Sequence, residues 1–408
     1  MADVMTGALA GYRIVDLTSV AFGPYATQIL GDNGADVIKV ESPAGDITRD
    51  IQPARSRGMG SFYLNANRNK RSIVLDLKKP SGRDALLRLV RDADVLVHSV
   101  RQEAMNRLGL SYEDCRAVNA GLVYVAALGF APGGPYDGKA AYDDIIQGLS
   151  GMVAMQSMTT GEPRYIPSSI ADKVGSTHLA YATTMALLHR ERSGEGQLVE
   201  VPMFECLVSF NLVEHAAGMV FDPPLGEAGY SRSRAPFRKP FATRDGHVCM
   251  LPYTQQHWQN FFRLVDRPEM VDDIRVTDPV RRSQSFDELY RIVAEIVVSW
   301  ETETLLKALD EADIPAGRVN SFEDLYEDPQ LRATGYLSYQ EHPTEGRIAV
   351  TGNPVGFSRS PGALKRFAPR LGEHSVEVLR EAGFADDEID AMLRDGVTVQ
   401  PEDGAAPA

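Results

Sequence analysis

Along the first 130 residues, short apolar runs rich in β-branched side chains alternate with longer stretches in which apolar and polar positions recur with a helical period. RIVDLTS (13–19), DVIKVES (36–42), RSIVLDL (71–77), DVLVHSV (94–100) and LVYVAAL (122–128) are the short runs and read as strands. Between them, GPYATQILGDNG (23–34) reads as a helix closed by glycine, and SGRDALLRLVRDA (81–93) as a helix started by Pro80. Apolar strands separated by helices of this length predict an α/β fold, a parallel sheet with helices on both faces.

The pattern then changes. DKVGSTHLAYATTMALLHRERS (172–193) reads as one long helix ending at Gly194–Gly196, followed by a strand, QLVEVPM (197–203), and a helix over 204–220. Residues 222–240 are rich in Pro, Gly, Ser and Arg and read as a linker. PFATRDGHVCMLP predicts a hairpin centred on Asp245–Gly246, and helical segments fill 254–310. A second irregular stretch, 342–362, precedes a terminal helix pair and a tail expected to be disordered. A chain of 408 residues suits two domains.

Composition narrows the function classes. With 43% hydrophobic and 24% charged residues the chain has the profile of a soluble globular protein. It contains no run of eighteen apolar residues to span a membrane, and MADVMTGALAGYR lacks the pattern of a signal peptide. Three distant cysteines suggest a reducing, cytoplasmic setting, and eight scattered histidines offer no zinc-ligand spacing. A net charge of −14 argues against nucleic acid as a partner.

Nucleotide motifs are likewise missing. GDNGAD (31–36) follows a helix rather than a strand, so it is not a dinucleotide fingerprint, and no phosphate-binding GxxxxGK[ST] occurs. The basic residues of NRNKR (67–71), with Lys78, Lys79, Arg101 and Arg107, flank strands where a ligand's phosphates could sit; alternatively they are solvated surface charges.

One acid stands out. Asp172, in SSIADKVGSTH (168–178), lies where a loop becomes the long helix. Helix N-caps favour Asp, which accepts orphan backbone N–H groups. The same N–H groups and the helix dipole would keep the carboxylate ionised and able to act as a covalent nucleophile. The residue three positions on is Gly175, not the acid or amide of a capping box, and Ser176 and Thr177 leave room beside it. Tyr142 reads as a half-buried aromatic with a satisfied hydroxyl, and Asp143 as a helix N-terminal acid.

Several strings taken together resemble the family III CoA transferases: VDLTSVAFGPYATQILGDNGADVIKVESPAGD, the segment from NRNKRSIVLDLKK through VNAGLVYVAALGF, AAYDDIIQGLSG, SSIADKVGSTHLAYATTMALLHRERSGEGQLVEVPMFE and LGEHSVEVL. The resemblance runs in order along nearly the whole chain. It implies a large Rossmann-like CoA-binding domain (1–222), a linker (223–240), a smaller α+β domain (241–340), a second linker (341–362), helices returning to the large domain (363–397) and a tail (398–408). It also implies a homodimer of interlocked rings. CoA and acyl-CoA are then substrates, a small carboxylic acid is the acceptor, and no cofactor is tightly bound.

The family's nucleophilic aspartate falls on Asp172. By the same analogy Val20, Ala21 and Phe22 contact CoA, Leu75, Leu77 and Lys78 surround the adenine, and Ser99, Val100 and Arg107 approach the phosphates or pantetheine. Tyr142 and Met203 line the thioester end. Two departures bear on substrate: Ala21 and Ser42 stand where formyl-CoA transferases have glutamine and arginine, and YSRSRAPFRKPF has no glycine run. They argue against formyl-CoA and oxalate. The basic residues of that stretch, Arg232, Arg234, Arg238 and Lys239, are candidates to bind a second carboxylate. Two alternatives share the fold, an α-methylacyl-CoA racemase or epimerase and a non-catalytic CoA-binding protein. Tyr142 replaces the racemase histidine and is a poor base at neutral pH.

Overall fold

The computed structural model describes residues 6–401. Six strands form one sheet: β1 (Arg13–Leu17), β2 (Asp36–Glu41), β3 (Lys70–Val74), β4 (Val95–His98), β5 (Val123–Leu128) and β6 (Gln197–Pro202). Their order is β3-β2-β1-β4-β5-β6 and every neighbouring pair is parallel. The order reverses between β1 and β4, which places the ligand crevice of such a sheet outside the carboxyl ends of those two strands. The fold is therefore Rossmann-like α/β, although the glycine fingerprint of dinucleotide binding is missing.

The helices follow in chain order: α1 (Phe22–Asp32), α2 (Ser61–Ala66), α3 (Pro80–Arg91), α4 (Gln102–Leu108), α5 (Tyr112–Val118), α6 (Asp143–Leu149), α7 (Met152–Thr160), α8 (Ile170–Ser193) and α9 (Met203–His215). Pro80 opens α3 because its missing N–H falls where no acceptor exists. A reciprocal Ser111–Asp114 capping box starts α5.

The two faces of β1–β3 differ in kind. Val15, Leu17, Ile38, Val40 and Ile73 pack into a core with Leu86 and Leu89 of α3. Val378, Leu379, Ile389 and Met392, from the terminal helices Ser375–Glu381 and Asp386–Arg394, complete that core. Side chains alternate along a strand, so the intervening residues share the other face. There Asp16, Lys39, Glu41, Lys70 and Ser72 are all buried. The strands thus carry a period-two pattern in which both faces lie inside the protein.

Of the described residues, 6–150, 165–210 and 330–401 form one compact unit, and 151–164 with 211–329 form a second. The second unit contains a three-stranded antiparallel sheet from Phe241–Ala242, His247–Met250 and Ala316–Arg318. Ala242 pairs with His247 across the turn holding Asp245–Gly246. Its core is built by Trp258, Phe261 and Phe262 against Tyr290, Val293, Leu305 and Leu309.

The stretch 341–362 is not all linker. Leu337–His342 pairs with Gly346–Thr351 as an antiparallel hairpin of the large unit. At the C-terminus, Thr398 is buried and its N–H bonds the carbonyl of Met392, so the ordered chain reaches past 397; residues 402–408 lie outside the described residues.

Candidate active site

The residues singled out above lie in or beside segments that follow the carboxyl ends of the parallel strands. Val20, Ala21 and Phe22 form the corner from β1 into α1, and Leu75, Leu77 and Lys78 follow β3. Ser99 and Val100 follow β4, with Arg107 on α4. Tyr142 precedes α6 in the segment after β5, and Met203 begins α9 directly after β6. Ser99 and the β1 corner meet, since the Ser19 N–H donates to Ser99 Oγ (3.3 Å). Leu75 is buried in the large unit's core, whereas Lys78 is exposed. Tyr142 is 66% exposed, not half buried, and its hydroxyl has no partner among the described residues.

Asp172 is not the cap of its helix. It is the third residue of α8, in the first turn, and Ser169 holds the cap position without a side-chain bond. The amides expected to serve Asp172 serve another acid. Asp143 Oδ1 accepts the N–H of Ala171 (2.7 Å) and of Asp172 itself (3.2 Å). Asp143 Oδ2 accepts from Gln147 Nε2 (2.6 Å), and Gln147 Oε1 accepts the N–H of Ile166 (2.9 Å), which ties α6 to the loop before α8.

Among the described residues the Asp172 carboxylate accepts no hydrogen bond. Burial, and then the negative charge of Asp143, push its pKa up to about 7, with Lys173 opposing them weakly. The expectation of a helix-stabilised, fully ionised acid is corrected accordingly. The donors are taken by Asp143, and burial is the largest cause of the upward shift.

Two contacts fix Asp172 relative to the β1 corner. Ser176 Oγ bonds both the Asp172 carbonyl and the Phe22 carbonyl at 2.7 Å. Gly175 lets the helices approach; a Cβ there would stand 2.8 Å from the Phe22 ring. Position 175 is thus occupied by a residue whose lack of a side chain is used.

At the corner, Val20 has φ of +71°, a left-handed conformation that costs a β-branched residue about 1–3 kcal/mol. Its N–H points at the Asp46 carboxylate (3.3 Å). Asp46 in turn receives Lys39 Nζ (2.9 Å), and the same ammonium donates to the Thr18 carbonyl (2.8 Å). Pro24, the third residue of α1, has no N–H, and the amides of Ala21, Phe22 and Gly23 have no acceptor among the described residues.

The basic stretch 67–71 does neither of the two things its charge suggested. Arg68 pairs with Asp32, Lys70 with Asp16, and Arg71 with Asp36, Glu377 and Glu381. These side chains are nearly all inside the protein, and their partners neutralise them. Lys79 donates to the carbonyls of Asp395 and Gly396. Of the cations near the carboxyl edge, Lys78, Arg101 and Arg107 are exposed and form no ion pair among the described residues. In the second unit, Arg232 donates to the Tyr290 hydroxyl (3.0 Å) and Arg234 approaches Glu227, while Arg238 and Lys239 are exposed.

Comparison with known proteins decides the family. The profile of CoA-transferase family III matches residues 9–375. This chain belongs to CoA-transferase family III. It is therefore an enzyme that moves CoA between an acyl-CoA and a carboxylate. It is 33% identical over 384 residues to a succinate–glutarate CoA-transferase of Agrobacterium fabrum, covering 91% of this chain and 95% of that one. It is 32% identical to a formyl-CoA:oxalate CoA-transferase of Rhodopseudomonas palustris, covering 98% and 100%. The crystal structure of a CAIB/BAIF family protein from Brucella suis superposes with a TM-score of 0.79 at 29% identity, covering 92% and 100%.

Among the described residues no group of three or more His, Cys, Asp or Glu is placed to hold a metal ion, and no helix is long and apolar enough to cross a membrane. Sequence reasoning missed Asp143 as a partner of Asp172, and it missed Lys39 and Asp46 as supports of the Val20 corner. Each acts across a loop, and no periodicity or spacing in the sequence marks it.

Proposed function

We propose that Asp172 is the nucleophile of the transfer. Its carboxylate oxygen attacks the thioester carbonyl carbon of the donor acyl-CoA, the C–S bond breaks, and an aspartyl–acyl anhydride and CoA thiolate form. The thiolate then attacks the Asp172 carbonyl of that anhydride, releasing the donor carboxylate and leaving an aspartyl-CoA thioester. The acceptor carboxylate attacks this thioester, the thiolate leaves again, and its attack on the acceptor's carbonyl yields the new acyl-CoA and frees Asp172. No bond energy is lost to water and no ATP is needed.

The observation that carries this reading is a partly buried carboxylate with no donor of its own, fixed through Ser176 to a corner of unengaged amides. Attack discharges the carboxylate, so the desolvation that disfavours the free anion is relieved as the covalent bond forms. Each step passes through an oxyanion, and preorganised N–H donors stabilise such charge by several kcal/mol in typical enzymes (about 3–4 kcal/mol per donor). The amides after Val20 are the donors we assign; those at the head of α8 are occupied by Asp143.

CoA itself would lie along the carboxyl edge. Val20, Ala21 and Phe22, with Ser99, Val100 and Arg107, take the pantetheine and phosphates. Leu77 and Lys78 face the adenine above the buried Leu75, and Tyr142 and Met203 meet the thioester end. The acceptor is a small dicarboxylate, a class supported by the acids named in both relatives. Incubation with succinyl-CoA and hydroxylamine, followed by peptide mass spectrometry, is expected to find a hydroxamate on Asp172. Full exchange with no modification of Asp172 would end the proposal.

We assign a homodimer as the working state. Tyr181, Met185 and Leu188 are exposed on α8 at a spacing that puts them on one face, and Ile145 and Leu149 are exposed on α6. Such apolar stripes are usually covered in solution. Sedimentation equilibrium is expected to give twice the chain mass of 44.7 kDa, and a monomer at micromolar concentration would refute the assignment.

A further inference from the structure

We propose that Asp143 is a positioning residue of the transfer reaction: it occupies the two helix amides that would otherwise pacify Asp172 and faces that carboxylate with a second negative charge. The inference rests on Asp172 being the nucleophile and adds a partner that makes it one.

The geometry is specific. Asp143 starts α6, yet its Oδ1 reaches across to the first turn of α8 and accepts from Ala171 (2.7 Å) and Asp172 (3.2 Å). Its second oxygen is held by Gln147, whose own amide group also bonds the chain at Ile166 and Ser168. Gln147 is buried, so the clamp is rigid. A helix with a free first turn stabilises an anion placed there. Here the anion that collects this stabilisation is Asp143, and Asp172 receives the repulsion instead.

The surroundings offer Asp172 little relief. Lys173, its neighbour on α8, is exposed and donates to Ser168 Oγ. His178 lies further along α8 with its Nδ1 against the Val174 carbonyl. From α1, the Phe22 ring packs on Gly175 of α8, and the first turn of that helix has no acid. Among the strands that α8 packs on, β5 contributes the buried Tyr124, whose hydroxyl donates to Leu110, and β6 contributes Glu200, which is exposed. Asp144, the next residue of α6, is exposed; Asp143 is therefore the charge that adds to burial in raising the Asp172 carboxyl to about 7.

The chemical consequence concerns reactivity. A carboxylate of pKa about 7 is a stronger base and nucleophile than an ordinary one and is still half ionised at neutral pH. An ordinary staple between α6 and α8 would have no such effect, and the pH profile separates the two roles.

The test uses the native enzyme and Asp143→Asn, with succinyl-CoA as donor and glutarate as acceptor. For the native enzyme kcat/KM is expected to rise with pH to an inflection near 7, and an inflection near 4 would overturn the inference without any variant. Asp143→Asn keeps an oxygen for the amides but removes the charge. Its inflection is expected at least one unit lower, with a plateau reduced about tenfold or more and CoA affinity preserved. An unmoved inflection would make Asp143 a staple and overturn the proposal. Asp143→Ser serves the same comparison where the Asn variant is unstable. Hydroxylamine trapping on the native protein distinguishes the two levels: a hydroxamate at Asp172 with an unmoved inflection rejects Asp143 alone, whereas its absence rejects the nucleophile and with it this inference.

Discussion

Asp172→Asn is expected to lose CoA exchange by about 10⁴-fold or more, as when other covalent nucleophiles are removed, and at the same time to make the protein more stable. The two effects have one cause. The side chain is partly buried beside Asp143 with no donor, so its carboxyl titrates near 7 in the folded chain against the usual value of 3.8. A raised folded pKa means the folded state favours the protonated acid. Its contribution is favourable while the group is protonated and is lost as pH rises through the folded value.

Across three pKa units the penalty at pH 8 has a ceiling of about 4 kcal/mol, and partial solvent access reduces it to the order of 2 kcal/mol. Asparagine keeps the shape and removes the charge. The stability difference between variant and native protein should be small below pH 4, open between 4 and 7, and stay constant above. Urea unfolding at pH 4, 6 and 8 measures it, and isothermal titration with CoA checks that binding is retained. Equal stability at every pH would show that Asp172 is solvated and ordinary. A variant with native exchange would remove it from the chemistry.

What the sequence could and could not announce follows from the range of each interaction. The strands were legible because β-branched runs report a local preference, and each of the five N-terminal runs overlaps a sheet strand. Their ends were less so: β1 stops at Leu17, not Ser19, because Asp16 accepts the Thr18 N–H and turns the chain. The position of Asp172 near a helix start was legible, but its state was not. That state depends on burial in the assembled fold and then on Asp143, 29 residues earlier and across a loop.

The stretch 67–71 gives the same lesson with the opposite sign. Arg68 finds Asp32 36 residues away, and Arg71 finds Glu377 and Glu381 more than 300 residues on. Charge density alone suggests a phosphate site or a wet surface, and the third outcome, a neutralised interior, appears only once the sheet has assembled. Asp16, Lys39 and Lys70 occupy alternate strand positions, a pattern that ordinarily marks a solvated face. Their burial beneath the β1 corner connects the core to the site, since the same ions that close the sheet interior hold Thr18 and Val20 in place.

That connection makes Lys39→Met the second large-effect variant. Lys39 and Asp46 are both fully buried, and methionine fills much of the lysine volume while leaving Asp46 uncompensated. Removing one partner of a buried pair typically costs about 3–5 kcal/mol. For Asp46, burial by itself would raise the carboxyl, and Lys39 with Thr48 overcomes it and holds it below the usual range. A lowered folded pKa contributes stability above the unfolded value that is lost as pH falls through the folded one.

In Lys39→Met that contribution reverses, so the gap from the native protein is expected to be widest at neutral pH and to narrow as pH falls into the carboxylate range. Asp46→Asn added to the same chain neutralises the stranded charge and is expected to recover more than half of the loss, a coupling read by a double-mutant cycle. Activity follows separately. With Asp46 no longer fixed by the ammonium, the Val20 N–H loses its anchored acceptor, and the left-handed corner relaxes toward ordinary backbone. We expect kcat to fall at least tenfold in the double variant even where its stability has recovered. Native kcat in that double variant would show that the ion pair supports the fold alone and that the corner holds itself.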